Sequence, residues 1–161
     1  MNPGTYTLTS PIVLNDCSAL IGTGDVIIKA SNDSTYIDIT EKHNVILDTF
    51  SFDGNDANTD NIQINYSQDV SLNAIRSYKT SQYGLISSAT KNLLIANSYF
   101  MNNAYGLALS DGSSYATLNN IFAYNNSEQA IAVTDSDYMT INNAQIANSP
   151  VGLALTSHST P

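Results

Sequence analysis

The residues best suited to chemistry crowd into one turn. The stretch FDGNDANTDNIQI, residues 52–64, carries Asp53, Asp56 and Asp60, with Asn55 and Asn58 among them. Three carboxylates beside amide carbonyls make a hard oxygen donor set of the kind Ca²⁺ prefers. The spacing is not that of an EF-hand, because the glycine is misplaced and no glutamate closes the series. The same composition also makes an ordinary solvated turn, since Asp, Asn and Gly favour tight backbone geometry. Arg76 and Lys79 follow the turn and are two of only five basic residues. They are either cations set near the carboxylates or solubilising groups. His43 stands in EKHNVIL with no second His or Cys nearby, which reads as a surface turn. His158 lies in the terminal TSHSTP, which reads as a tail.

What positions these residues is a repeat. Ile39, Ile64, Ser87, Leu109, Val133 and Leu155 follow one another at steps of 25, 23, 22, 24 and 22 residues. A second marker, Leu47, Leu72, Ile95, Leu118 and Ile141, steps by 25, 23, 23 and 23. Each unit holds three short segments that alternate with period two between polar turns, and none sustains a 3.6-residue period. A unit of ~23 residues with strands and no helix predicts one coil of a parallel β-solenoid, each strand pairing with its equivalent one turn away. Roughly seven coils at about 4.8 Å give a rod of about 34 Å. Residues 1–30 are expected to form opening or capping coils, 31–155 the repeats, and 156–161 a tail or linker with no C-terminal cap. That unfinished end predicts either a longer solenoid or a covering neighbour.

The period also sorts the side chains. Asn97, Asn120 and Asn143 fall two residues after the second marker, and Asn102, Asn125 and Asn148 seven after it. Identical amides at a rung's spacing can donate to and accept from each other, forming asparagine ladders at the corners. In the segment that follows, alternation sends Ser51, Arg76, Tyr99, Phe122 and Gln145 outward in one row, and Asp53, Tyr78, Met101, Tyr124 and Ala147 in a second. Tyr78, Tyr99, Met101, Phe122 and Tyr124 then form an exposed patch, the mark of a binding surface. Another copy of the chain, a covering loop or neighbouring domain, or a glycan would each fit it. A phase error of one residue would instead bury the row. The other outward row, Asp38, Gln63, Ile86, Ala108, Ala132 and Ala154, becomes small and flat toward the C-terminus.

Units such as NLLIANSYFMNNAYGLAL and YMTINNAQIANSPVGLAL resemble the right-handed parallel β-helices of the pectin-lyase-like superfamily, and the resemblance covers nearly the whole chain. GTYTLTSPIVLNDCSALIGTGDVIIKA is similar to the first coils of that group, where an apolar strand pair leads to an L-x-G-x-G turn. The superfamily holds polysaccharide lyases, glycoside hydrolases, epimerases, phage tailspikes, adhesins and noncatalytic surface proteins, so the shared fold leaves activity open. Asn58-Thr59-Asp60 looks like the N-T-D element of polygalacturonase-type hydrolases, whose Asp is one of three catalytic carboxylates. The family's partner Asp pair and His would fall at Gln82-Tyr83-Gly84 and Ala104-Tyr105-Gly106 here. The set is incomplete, and no catalytic role carries over. A lyase of this kind would use Arg76 or Lys79 as base near a Ca²⁺-neutralised uronate, with Asp60 in the acidic turn.

Composition limits the remaining classes. Only 12% of residues are charged and the net charge is −9, which repels nucleic acid and anionic lipid. No apolar run is long enough to insert in a membrane. Cys17 is the sole cysteine, which excludes an internal disulfide and a Cys-based zinc site. The expectation is an all-β, right-handed parallel β-helix, extracellular or at the cell surface, with its leader sequence absent from these residues. It would be a noncatalytic surface, stalk or adhesin-type module working by self-association or glycan contact, without a cofactor unless Ca²⁺ occupies the acidic turn. A polysaccharide-active enzyme, uronate lyase before glycoside hydrolase, is the alternative.

Overall fold

A computed structural model describes residues 1–32, 37–57 and 60–157. The strands in chain order are β1 (Gly4–Leu8), β2 (Ile12–Val13), β3 (Ala19–Ile21), β4 (Val26–Ala30), β5 (Ile37–Thr40), β6 (His43–Ala57), β7 (Ile62–Asn65) and β8 (Gln68–Thr80). They continue as β9 (Tyr83–Ser88), β10 (Lys91–Met101), β11 (Tyr105–Ser110), β12 (Thr117–Tyr124), β13 (Gln129–Thr134), β14 (Thr140–Ala147) and β15 (Val151–Thr156). No helix occurs among the described residues, and none is long and apolar enough to cross a membrane.

Every pairing between these strands is parallel and joins equivalent segments of successive coils. One sheet runs β1-β4-β6-β8-β10-β12-β14 with β3 beside β6, and the other runs β15-β13-β11-β9-β7-β5-β2. The stack makes about six complete turns of a parallel β-solenoid. Residues 1–30 join the stack directly, β1 alongside β4 and β2 alongside β5. The three segments of each unit fall into two sheets for a simple reason. The second and third segments meet at one left-handed residue, Thr49, Ala74, Asn97, Asn120 or Asn143, with φ from 51° to 59°. A single residue turns the chain without breaking the ladder.

The corner amides are bonded as a ladder. Asn143 Nδ2 donates to Asn120 Oδ1 at 2.7 Å, Asn120 to Asn97 at 2.9 Å, and Asn97 to Asn73 at 2.9 Å. Asn73 in turn donates to Asp48 Oδ1 at 2.9 Å, so a carboxylate terminates the run. The second corner holds Asn102, Asn125 and Asn148 in left-handed backbone, with Lys79 in the same role one coil earlier. There, Asn148 donates to Asn125 at 3.1 Å.

The asparagines that follow Asn102 and Asn125 lie inside. Asn103 and Asn126 are buried, and their Nδ2 groups donate to the Ser77 and Phe100 carbonyls at 3.1 Å each. The facing positions are glycine because the amides fill the space. A Cβ on Gly84 would meet Asn103 Nδ2 and the Gly106 carbonyl oxygen at 2.6 Å each. In the coil holding Gly54 the arrangement is reversed. Buried Asn61 supplies the amide from the opposite side of the turn, and Gly54 leaves the gap for it. The core itself is stacked Ile, Leu, Val and Phe, such as Ile39–Ile64 and Leu47–Leu72, at 0% exposure.

Candidate functional site

The third segment of each coil builds one outward face. Alternation buries Phe50, Phe52, Ile75, Phe100 and Ile121. It leaves Tyr78, Tyr99, Met101, Phe122 and Tyr124 half-buried on the outside. Ladder register then sets Ser51, Arg76, Tyr99, Phe122 and Gln145 in one column, and Asp53, Tyr78, Met101, Tyr124 and Ala147 in the next. The Tyr99 and Phe122 rings stack with centroids 4.6 Å apart and planes 10° apart. Arg76 extends this stack, its guanidinium carbon 5.6 Å from the Tyr99 centroid. Lys79 Nζ lies 5.9 Å from the Tyr78 centroid, also within cation–π range.

Stacking along the column decides what these rings can offer. Tyr99 and Phe122 share one pair of faces, Arg76 covers the far side of Tyr99, and Gln145 follows Phe122. Their edges are what face solvent. The two rings therefore present their edges and the Tyr99 hydroxyl, with the Arg76 guanidinium beside them. Shallow grooves flank Arg76 on both sides. One, between the columns, is lined by Asp25, Ile27, Ser51, Tyr78 and Met101. The other lies toward the ladder corner beside Thr49, Ala74, Asn97 and Tyr99. Burial pushes the Tyr78 phenol above its ordinary pKa, the Asp53 carboxylate adds to this, and Arg76 opposes it. Lys29 joins the face from β4, half-buried and paired in register with Asp53.

The acidic turn does not gather its carboxylates. Asp53 Oδ1 accepts the Asn55 N–H at 3.0 Å. Asp60 is committed elsewhere: Oδ1 accepts the Tyr83 N–H at 3.0 Å and Oδ2 accepts Gln63 Nε2 at 2.8 Å. Asp56 is exposed. Among the described residues, no three His, Cys, Asp or Glu side chains come together as metal ligands. Asn58, Thr59 and His158 lie outside the described residues. Arg76 and Lys79 sit on the aromatic face, both exposed, and Asp60 is on the other sheet's side of the turn.

Two further ring pairs emerge from the register. Tyr83 and Tyr105 stack at 4.7 Å with planes 24° apart, on the outward side of the second sheet. Tyr115 and Tyr138 stack at 4.8 Å and 5°, at a corner where they are 51% and 72% exposed. Both pairs are separated in sequence by one coil length, a signal that the repeat period already contained.

Several solved structures share this architecture. Pectate lyase Pel9A superposes with a TM-score of 0.57 at 15% identity, over 84% of this chain and 43% of its own. ORF18 of Geobacillus virus E2 gives 0.64 at 14% identity, over 89% of this chain and 39% of its own. The Streptococcus pneumoniae surface adhesin PfbA gives 0.64 at 13% identity, over 90% and 54%. The chain thus spans about half the length of these proteins or less, and likeness at such identities shows the fold alone. A comparison with curated proteins by sequence finds no match. The coil register and the ladder agree with the sequence match to a model of the family described as rhamnogalacturonase A/epimerase, pectate lyase-like, which spans residues 1–154, and the protein belongs to that family.

Proposed function

We propose that this chain is a noncatalytic β-helix module of an extracellular or surface protein, and that its third-segment face contacts acidic glycans. One observation carries the reading. Lys29, Arg76 and Lys79, three of the five basic residues, lie on or at the edge of that face in a chain of net charge −9. Asp25 and Asp53 are the acids set against them there. A carboxylate or sulfate ester on a sugar would meet the Arg76 fork, whose planar donors suit such groups. The Tyr78 and Tyr124 phenols stand in the neighbouring column for sugar hydroxyls.

The noncatalytic half rests on the carboxylates. Glycoside hydrolysis needs two acids flanking one bond. Asp60 has both oxygens engaged by the protein. An enzyme is the second reading, favoured by family membership, with Arg76 or Lys79 as a lyase base. The fold is common to a lyase and an adhesin alike, so it leaves both readings open.

Calorimetric titration with polygalacturonate oligomers and with neutral glucan oligomers of equal length tests the proposal. The acidic oligomer binds, the neutral one does not, and Arg76→Ala weakens binding about tenfold or more. The oligomer stays intact with Ca²⁺ and with chelator. Cleavage that Arg76→Ala or Asp60→Asn abolishes would establish the enzyme instead. Absent binding, with a solution mass that grows with concentration until Phe122→Ser stops it, would assign the face to self-association.

A further inference from the structure

The second sheet has a face of opposite character. None of its seven strands contains Lys or Arg. Asp38 stands half-buried on its outward side, and Asp60 just before β7 is half-buried too. One outward column reads Asp60, Tyr83, Tyr105 and Gln129, tied by the hydrogen bond from the Tyr83 N–H to Asp60 and by ladder register above it. The neighbouring column, Ile86, Ala108 and Ala132, is apolar, with Ala108 buried between the other two.

Asp60 is held in place and its charge is left over. Its two oxygens each accept one neutral donor, Tyr83 N–H and Gln63 Nε2, and a carboxylate has further acceptor sites. The adjacent ring pair is kept 4.7 Å apart by the rung spacing. Burial, then Tyr105, then Asp60 push the Tyr83 phenol above its ordinary pKa. A fixed anion one rung from a stacked pair of tyrosines, on a sheet without Lys or Arg in its strands, suits a positive charge.

We propose that the Asp60–Tyr83–Tyr105 cluster binds the protonated amine of an amino sugar. The ammonium donates to Asp60 and the phenol oxygens. The phenols and the Gln63 and Gln129 amides both donate and accept, which suits a ring bearing several hydroxyls. A lysine side chain would use the carboxylate alone. The column is one rung wide per residue, so a chain of amino sugars would run along it over the alanine column. This site is on a different sheet from the Arg76 face and does not depend on it.

The test titrates the protein with a glucosamine oligomer and with its N-acetylated counterpart of the same length. Acetylation removes the charge and keeps the ring and its hydroxyls. The free-amine oligomer binds about tenfold or more tightly than the acetylated one. Asp60→Asn erases that preference, and Tyr105→Ala weakens the free amine while the thermal midpoint is retained. Asp137→Asn, an exposed acid at another corner, keeps the preference, as does Arg76→Ala. Equal binding of the two oligomers overturns the proposal, and so does an unchanged preference in Asp60→Asn or a preference lost in Asp137→Asn. Tighter binding of an oligolysine peptide at the same residues would assign the site to a protein amine and reject the amino sugar.

Discussion

Ser87 occupies a core position between Ile64 and Leu109, and its column is otherwise aliphatic. It is fully buried and its hydroxyl has no hydrogen-bond partner. Ser77, equally buried, is the useful contrast: its Oγ donates to the Gly84 carbonyl at 2.8 Å and accepts Asn61 Nδ2 at 2.9 Å. An unpaired buried hydroxyl costs on the order of 1–3 kcal/mol. Ser87→Ala removes that cost and leaves only a small void, so it should stabilise the fold by about 1 kcal/mol. Urea unfolding of the two proteins measures it. A destabilised variant would mean that the hydroxyl has a partner, such as a buried water. The same reading distinguishes the glycines: Gly84 is fixed by an amide and a carbonyl within 2.6 Å of where its Cβ would be.

At the scale of the element, the ladder corner joins a backbone requirement to a side-chain one. Asn120 sits at φ 55°, donates to Asn97 and accepts from Asn143. Asn120→Ala loses both bonds and gives up the asparagine side chain's tolerance of left-handed backbone, for a total of about 2–4 kcal/mol. Asn120→Gly keeps the corner's conformation and should recover about 1 kcal/mol of that. Equal losses by denaturant titration would show that the amide bonds alone carry the corner. This much was legible in the sequence, because amides repeating in phase with the apolar markers have one physical use. The foot of the ladder was not legible. Asn97 aligns with Ala74, not Asn73, so the amide reaches diagonally down, and the left-handed residue there is Ala74. The slip falls in the 23-residue step from Leu72 to Ile95, because Asn73 stands one residue after its marker and Asn97 two. The aromatic columns followed from alternation. The stacking of Tyr99 on Phe122 followed as well, because the distance between rungs sets it. The three turn carboxylates looked like one cluster because sequence proximity stood in for direction, whereas Asp60 turns away to cap Tyr83.

For the molecule as a whole, parallel coils make stability a matter of neighbours. Each strand bonds only to its equivalents above and below, so a coil's opening depends on what stacks on it. Leu72, Ile75, Ile95 and Phe100 in the middle coils are at 0% exposure. In β15 the inward-facing Leu153 and Leu155 are 45% and 66% exposed, and at the other end Tyr6, Leu8 and Ile12 are only partly buried. Amide exchange in this chain should therefore spread inward from both ends. Peptides from β14 and β15 exchange first, those from β1 and β2 next, and those from β8 and β10 last. Leu155→Asp should leave the middle coils' protection unchanged, while Ile95→Asp should abolish it throughout, since Ile95 is enclosed by Leu72 and Leu118 on the rungs to either side. If all peptides instead exchange in a single step at one rate, the coils unfold together, and the corner ladders couple the stack over its whole length.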